Sequence, residues 1–338
     1  MDDLPPASLA PPRVGGGPAP LRRTQSVRRT TSIDTHWPDG RDQPAAFVAR
    51  SRDVMTHTDG SATVLDAHEI TGRASLQRQI LTLRGDPDAG LLQRLEGLRA
   101  GGQLRAELRQ IFPEPSQREA GLYLLLDDLA GATLVSSWAW FAWDGYSEAL
   151  GNVVRGADIS GWNGSMRGIC IGLRDGSSAL DAHGFPKMEE QYSAAVPDLT
   201  HPDDPDGWHP FPSLPAATMR RARWIDVWRE EENIVAQSGF QDSGARRKGG
   251  RQAIHEYRVR ATISADGRIL DLTATPHVLP HGDCPAAVLN LGRLVGGRLL
   301  DLRDMVPQLL AKEQGCTHLN DVVRALAGVS GLARHLPF

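Results

Sequence analysis

Apolar and polar residues alternate through the stretch that begins at His255. Tyr257, Val259, Ala261 and Ile263 fall on one parity, and Arg258, Arg260 and Thr262 on the other. A period of two is the signature of a half-buried strand. Ala265-Asp266-Gly267 reads as a tight turn, after which Leu270, Leu272 and Ala274 alternate with Asp271 and Thr273. The segment therefore predicts an antiparallel hairpin with His255 on its core side. Pro276 and Pro280 close the second strand.

Beyond them the spacing becomes helical. Val288, Leu291, Leu294 and Val295 form one apolar stripe. Leu302, Val306, Leu309 and Leu310 form a second, which Pro307 tightens or breaks. Leu319, Val322, Val323 and Leu326 form a third. Asp283 and Thr317 stand where N-caps belong, and Pro285 falls in a first turn, where a missing N–H costs little. Cys284 is thus expected at the start of one helix and Cys316 just before another.

Upstream the pattern suggests an internal repeat. Arg28-Arg29-Thr30-Thr31-Ser32-Ile33-Asp34 resembles Arg220-Arg221-Ala222-Arg223-Trp224-Ile225-Asp226. Gln79-Ile80-Leu81-Thr82-Leu83 resembles Arg268-Ile269-Leu270-Asp271-Leu272. Gly101-Gly102 and Gly296-Gly297 follow, and both units end in Leu-rich helices closing on Ala130-Gly131 and Ala327-Gly328. The first copy has no cysteine. It carries Asp86-Pro87-Asp88 near one cysteine position and Gly121-Leu122-Tyr123-Leu124 near the other.

The expected organisation has five parts: a disordered arm over 1–28, a first α+β half over 29–143, a loop-rich connection over 144–218, a second α+β half over 219–330 and a tail over 331–338. The arm is rich in Pro, Gly and Ala. Its Arg22-Arg23-Thr24-Gln25-Ser26 run could serve a basic-directed kinase or simply be solvated. The connection contains Gly161-Trp162-Asn163-Gly164 and many Asp, Pro and Trp residues, which argue for ordered loops. Gly168 to Leu173 reads as a short strand that buries Cys170 as a structural thiol. Leu134, Ser136 and Trp138 alternate as a core strand would, with Trp140 and Trp143 beside them. Asp127 and Asp128 are expected to be solvated or capping, and Arg246-Arg247-Lys248 solvated.

Composition narrows the class. The 338 residues are 40% hydrophobic and 23% charged, with a formal net charge of −4. That balance carries no signal for nucleic acid or an anionic membrane, and leaves a protein partner open. The longest apolar run, Ala132 to Trp143, is too short to span a bilayer. With no apolar leader near the start, and 3 cysteines, a reducing cytoplasm is the expectation.

The candidate chemistry is a Cys/His site in the second half. A helix start favours a thiolate, and His318 lies beside Cys316. His255 is a further candidate. Cys284, Cys316, His318 and His255 could hold a metal ion or an iron–sulfur cluster. Alternatively, Cys316 or Cys284 is a nucleophile for a hydrolase or transferase, with His318 or His255 as base. A third reading is a non-catalytic binding or scaffold protein with structural cysteines. The spacing matches no zinc finger or ribbon.

The run His255-Glu256-Tyr257, Leu279-Pro280, Cys284-Pro285-Ala286-Ala287 and Gly315-Cys316-Thr317-His318-Leu319-Asn320-Asp321 resembles the bacterial family with domain of unknown function 2889. The resemblance is most specific over 220–330. Arg28 to Gly40 and Leu122 to Leu129 resemble the N-terminal part of its longer, actinobacterial-type members. It implies no established activity. The order of hairpin and cysteines is also similar to U-type iron–sulfur scaffold proteins, which would imply a metal or cluster there. This chain lacks their third cysteine in the first strand region. The expected fold class is α+β, with two duplicated halves, each a small antiparallel sheet covered by helices.

Overall fold

The computed structural model describes residues 14–85, 89–149, 166–187, 189–214 and 216–337. Asp86-Pro87-Asp88 and Gly161-Trp162-Asn163-Gly164 lie outside the described residues. Four strands come first: β1 (Ser26–His36), β2 (Ala45–Thr56), β3 (Ala62–Ala74) and β4 (Ile80–Gly85). Helices α1 (Ala89–Gln93), α2 (Gly102–Ile111), α3 (Gly121–Val135) and α4 (Trp138–Asp144) follow. After a short β5 (Ala194–Val196) come β6 (Thr218–Glu230), β7 (Asn233–Ala245), β8 (Arg251–Ile263) and β9 (Ile269–Val278). A 3-10 run (Cys284–Leu294) leads to α5 (Leu302–Leu309), α6 (Thr317–Ala325) and α7 (Val329–Ala333).

The fold is α+β, with the two expected sheets joined into one. The order is β4-β3-β2-β1-β6-β7-β8, with β9 and β5 both pairing β8, and every strand pair is antiparallel. β1 against β6 is the central seam of the sheet. No helix among the described residues is long and apolar enough to cross a membrane.

Both central strands are buried although their sequences are polar. Alternation explains this. Arg29, Ile33, Arg221, Arg223 and Ile225 face the helices; Arg28, Thr30, Ser32, Asp34, Trp224 and Asp226 face the opposite side. That second face is covered by the segment around Ala19 and by the loop carrying Leu199, Trp208 and Phe211. Buried charge persists only when it is paired. Arg28 Nε donates to Asp226 Oδ1 at 2.6 Å, and Arg29 Nη2 donates to Asp53 Oδ2 at 2.6 Å.

The strand pairs on the two sides of that seam share their irregularities. β2–β3 is bulged next to the Asp53/Asp66 pair, and β7–β8 next to Asp242/His255. β3–β4 shifts register before Ala74/Ile80, and β8–β9 before Ile263/Ile269. That last bulge turns Leu270 outward to 49% exposure while Leu272 stays buried, so the returning strand does not alternate as expected. Gly97 N donates to Ile80 O at 2.7 Å with φ of 84°, and Gly296 N donates to Ile269 O at 2.8 Å with φ of 85°. Gly97, rather than the Gly101-Gly102 pair, therefore makes the same kind of turn as Gly296.

Several local expectations are corrected. Residues 16–28 are not a free arm in their described part. Gly16 N donates to Glu256 Oε1 at 2.9 Å, and Ala19 N to Leu199 O at 2.9 Å. Ser26 is buried in β1, out of reach of a kinase. Leu134 to Trp143 is not a strand but the end of α3 and most of α4 on either side of a turn at Ser136-Ser137, with Val135, Ala139 and Phe141 buried. Gly168 to Leu173 is turn and 3-10 helix, although Cys170 is buried as expected.

Candidate functional site

The site grows from the register of β7 on β8. Asp242 lies opposite His255, and both face the helices. Asp242 Oδ2 and His255 Nδ1 are 3.1 Å apart. Arg221 on β6 clamps the same carboxylate, with Nε to Oδ1 and Nη2 to Oδ2 both 2.9 Å. Its third nitrogen, Nη1, donates to Asp321 Oδ2 of α6 at 3.1 Å. Gly131 of α3 makes room for that guanidinium: a Cβ there would lie 1.5 Å from Nη1.

Helix α6 brings the second imidazole. Cys316 is its N-cap and Thr317 its first residue, one position earlier than expected. His318 then stacks on His255, with ring centroids 3.3 Å apart and planes 19° apart. The ligating atoms of Asp242, His255 and His318 all lie within 4.8 Å of one another. His318 Nε2 is buried without a hydrogen-bond partner. Gly315, Leu319 and Asn320 hold this turn in place. Asn320 Nδ2 donates to Leu310 O at 2.9 Å, Leu319 is fully buried, and a Cβ on Gly315 would meet Leu310 O at 2.3 Å.

The cysteines sit behind the histidines. Cys316 and Cys284 are 2% and 3% exposed and share a hydrogen bond. Tyr257 Oη donates to Cys316 Sγ at 3.6 Å. Cys284 opens a 3-10 run, not an α-helix, and Asp283 makes no capping bond; it pairs with Arg174 at 3.2 Å. Backbone packing also delivers Cys170 to this region, since Ile171 N donates to Gly315 O at 2.9 Å. Sequence position gave no hint of this, because Cys170 lies 114 residues before Cys284 along the chain.

Electrostatics follow from burial. Desolvation, together with the neighbouring His318, pushes His255 down to about 4 against the pull of Asp242. Burial likewise lowers His281 to about 4 and raises Cys170 to about 12. Asp242 resists its own burial and stays well below the usual carboxylate range, because Arg221 and His255 outweigh desolvation. In the coupled thiol pair, the Cys284 hydrogen bond and His318 draw Cys316 toward the thiolate, while Cys284 keeps its proton.

Of the residues singled out from sequence, His255 and His318 come together with Asp242, whereas Cys316 and Cys284, neighbours of each other, both lie outside that Asp/His/His set. Asp242 and Arg221 were not singled out as site residues. Arg221 was visible only as part of a repeat, and Asp242 only through a strand pairing that no local pattern encodes. The expected solvation of Asp127 and Asp128 is corrected as well. Both are buried, Asp127 against Arg105, Arg303 and Arg324, and Asp128 against Arg223.

Residues 219–330, from β6 to the start of α7, match one family model. It is the protein family of unknown function DUF2889. The DUF2889 match contains all of Arg221, Asp242, His255, Cys284, Cys316 and His318. Comparison with curated proteins and with solved structures gives no match.

Proposed function

We propose that this chain is a fused duplication whose second, DUF2889 copy holds a mononuclear transition-metal ion. The carrying observation is the group of buried Asp242 and His255 with half-buried His318, with ligating atoms within 4.8 Å and a buried, unpartnered His318 Nε2. A buried imidazole nitrogen without a partner is costly. A metal ion would satisfy it. Asp242 bonds His255 Nδ1 and so suits the carboxylate that orients a metal-bound histidine, leaving Nε2 for the ion. His318 would supply the second imidazole, and the Cys316 thiolate beside it, which lies outside the 4.8 Å group, a third ligand, with Cys284 donating to that sulfur. Two imidazoles and one thiolate fit a zinc-type ion better than an iron–sulfur cluster.

The matched bulges, glycine turns and seam ion pairs support duplication. The first copy puts Asp66 where the second has His255, and opens α3 with Gly121-Leu122 where α6 opens with Thr317-His318. It keeps the frame and lacks the imidazoles.

Elemental analysis of untagged protein tests the metal reading. The expected result is about one ion per chain, lost in His255→Ala and His318→Ala variants that keep native circular dichroism. A folded protein that neither carries nor takes up zinc overturns it. The second reading, Cys316 as nucleophile, draws on the pull of Cys284 and of the neighbouring His318 toward the thiolate. Its 2% exposure leaves no approach for a substrate in this conformation. A native thiol that reacts rapidly with a disulfide reagent would favour that reading instead.

A further inference from the structure

A second site lies away from the histidines, where the turn before α3 meets the entry to α5. Arg118 and Glu119 come from the first half; Arg298, Asp301, Arg303 and Asp304 come from the second. Together they line a cleft of about 220 Å³. Arg303 forms the buried part of the wall at 8% exposure. Its Nη1 donates to Asp127 Oδ2 at 3.1 Å and its Nη2 to Arg118 O at 3.3 Å, while its Nε is buried without a partner. Arg118 donates only to a backbone carbonyl, Pro113 O at 3.2 Å, and its Nε is also unpartnered. Arg298 makes no side-chain hydrogen bond or ion pair among the described residues. Glu119 is already engaged, with Arg334 Nη1 at 3.0 Å.

We infer that this cleft binds a small phosphate group, held by Arg118, Arg298 and Arg303 across the two halves. Three guanidiniums from three backbone positions suit a tetrahedral oxyanion, whose oxygens point several ways, better than a planar carboxylate. Asp301 and Asp304 are exposed on the same rim and form no ion pair with these arginines among the described residues. Their charge disfavours a long polyanion such as nucleic acid and leaves room for a compact one. The inference does not depend on the metal reading, since none of these residues belongs to that site.

The test is calorimetric titration of the full chain with inorganic phosphate and, separately, glycerol 3-phosphate, at constant ionic strength with chloride as control. Saturable binding of either is expected, with affinity about tenfold weaker for each of Arg118→Ala and Arg298→Ala, as for a lost charge-assisted hydrogen bond. Tighter binding of the ester marks an organic phosphate as the ligand, and tighter binding of the inorganic ion marks free phosphate. Arg118 and Arg298 are not fully buried, so these variants retain the fold. Circular dichroism confirms it. No saturable heat with either probe, or affinity unchanged in the double variant, overturns the inference.

Discussion

The imidazoles of His255 and His318 lie face to face, 3.3 Å between centroids, one from a strand and one from a helix start 63 positions later. Burial keeps His255 neutral, so its Nε2 lone pair is available at neutral pH. If an ion binds there, it stabilises the native state by mass action, by about 4 kcal/mol at a thousandfold excess over Kd. Excess chelator should therefore lower the Tm of the wild type and leave that of His255→Ala/His318→Ala unmoved. Equal shifts in both would show that the chelator acts elsewhere.

Gly131 is the tightest contact beneath the site. A Cβ there would lie 1.5 Å from Arg221 Nη1, and Arg221 is held on both sides by Asp242 and Asp321. It cannot step aside. Gly131→Ala should cost about 3 kcal/mol by overpacking. Gly328→Ala, whose Cβ meets Arg29 Nη1 at 2.9 Å, should cost less. Urea unfolding midpoints give the order, and the reverse order would contradict this packing.

Arg28 and Asp226 bridge the seam, as do Arg220 and Asp34, each at 2.6 Å. Removing one member of the buried Arg28–Asp226 pair should cost about 3–5 kcal/mol, because it strands a charge. Arg28→Met with Asp226→Leu should cost far less than the sum of the singles. A double-mutant cycle measures this coupling. The Arg220–Asp34 cycle should return a smaller value, since Arg220 is the more exposed of the two arginines.

Acid should weaken the fold partly through His209. Its Nδ1 lies 2.9 Å from Thr30 Oγ1 and its Nε2 2.8 Å from Ser32 Oγ. Burial, reinforced by Arg52, lowers it to about 3. An unfolded histidine titrates near about 6.5. The unfolded state therefore binds the extra proton between those values. The stability His209 contributes is complete above about 6.5 and drains as pH falls toward 3, by at most about 1.4 kcal/mol per pH unit. The stability difference between wild type and His209→Gln should be smaller at pH 5 than at pH 7. A difference independent of pH would mean that the imidazole is not held neutral.

Local pattern carried much of this protein. Alternation from Tyr257 to Ile263 marked β8 and placed His255 on the inner face, where it lies. The stripes at Leu302 and Leu319 marked α5 and α6. The paired Arg-Arg and Ala-Gly signatures pointed to the arginines and glycines that meet across the seam. These features are legible because each depends on neighbours within a few residues. Trp138 was misread as strand because the alternation of Leu134, Ser136 and Trp138 runs across the two-residue turn between α3 and α4, and a short apolar window does not separate the two periods.

What the chain could not announce was long-range. Asp242 meets His255 only because a bulge sets the register of β7 on β8. Asp127, Asp128 and Arg221 are buried only because helices from both halves close over one sheet. Cys170 approaches the site because the turn after it bonds to Gly315 through Ile171 and packs Gly172 against Cys284. Sequence by itself determined the β8–β9 hairpin, α5, α6 and the two histidines as candidates. Tertiary structure decided that the halves share one sheet and that a carboxylate, not Cys284, joins those histidines. The reason is physical: a charged side chain looks solvent-bound in any local window, and only the partner that neutralises it lets it enter the core.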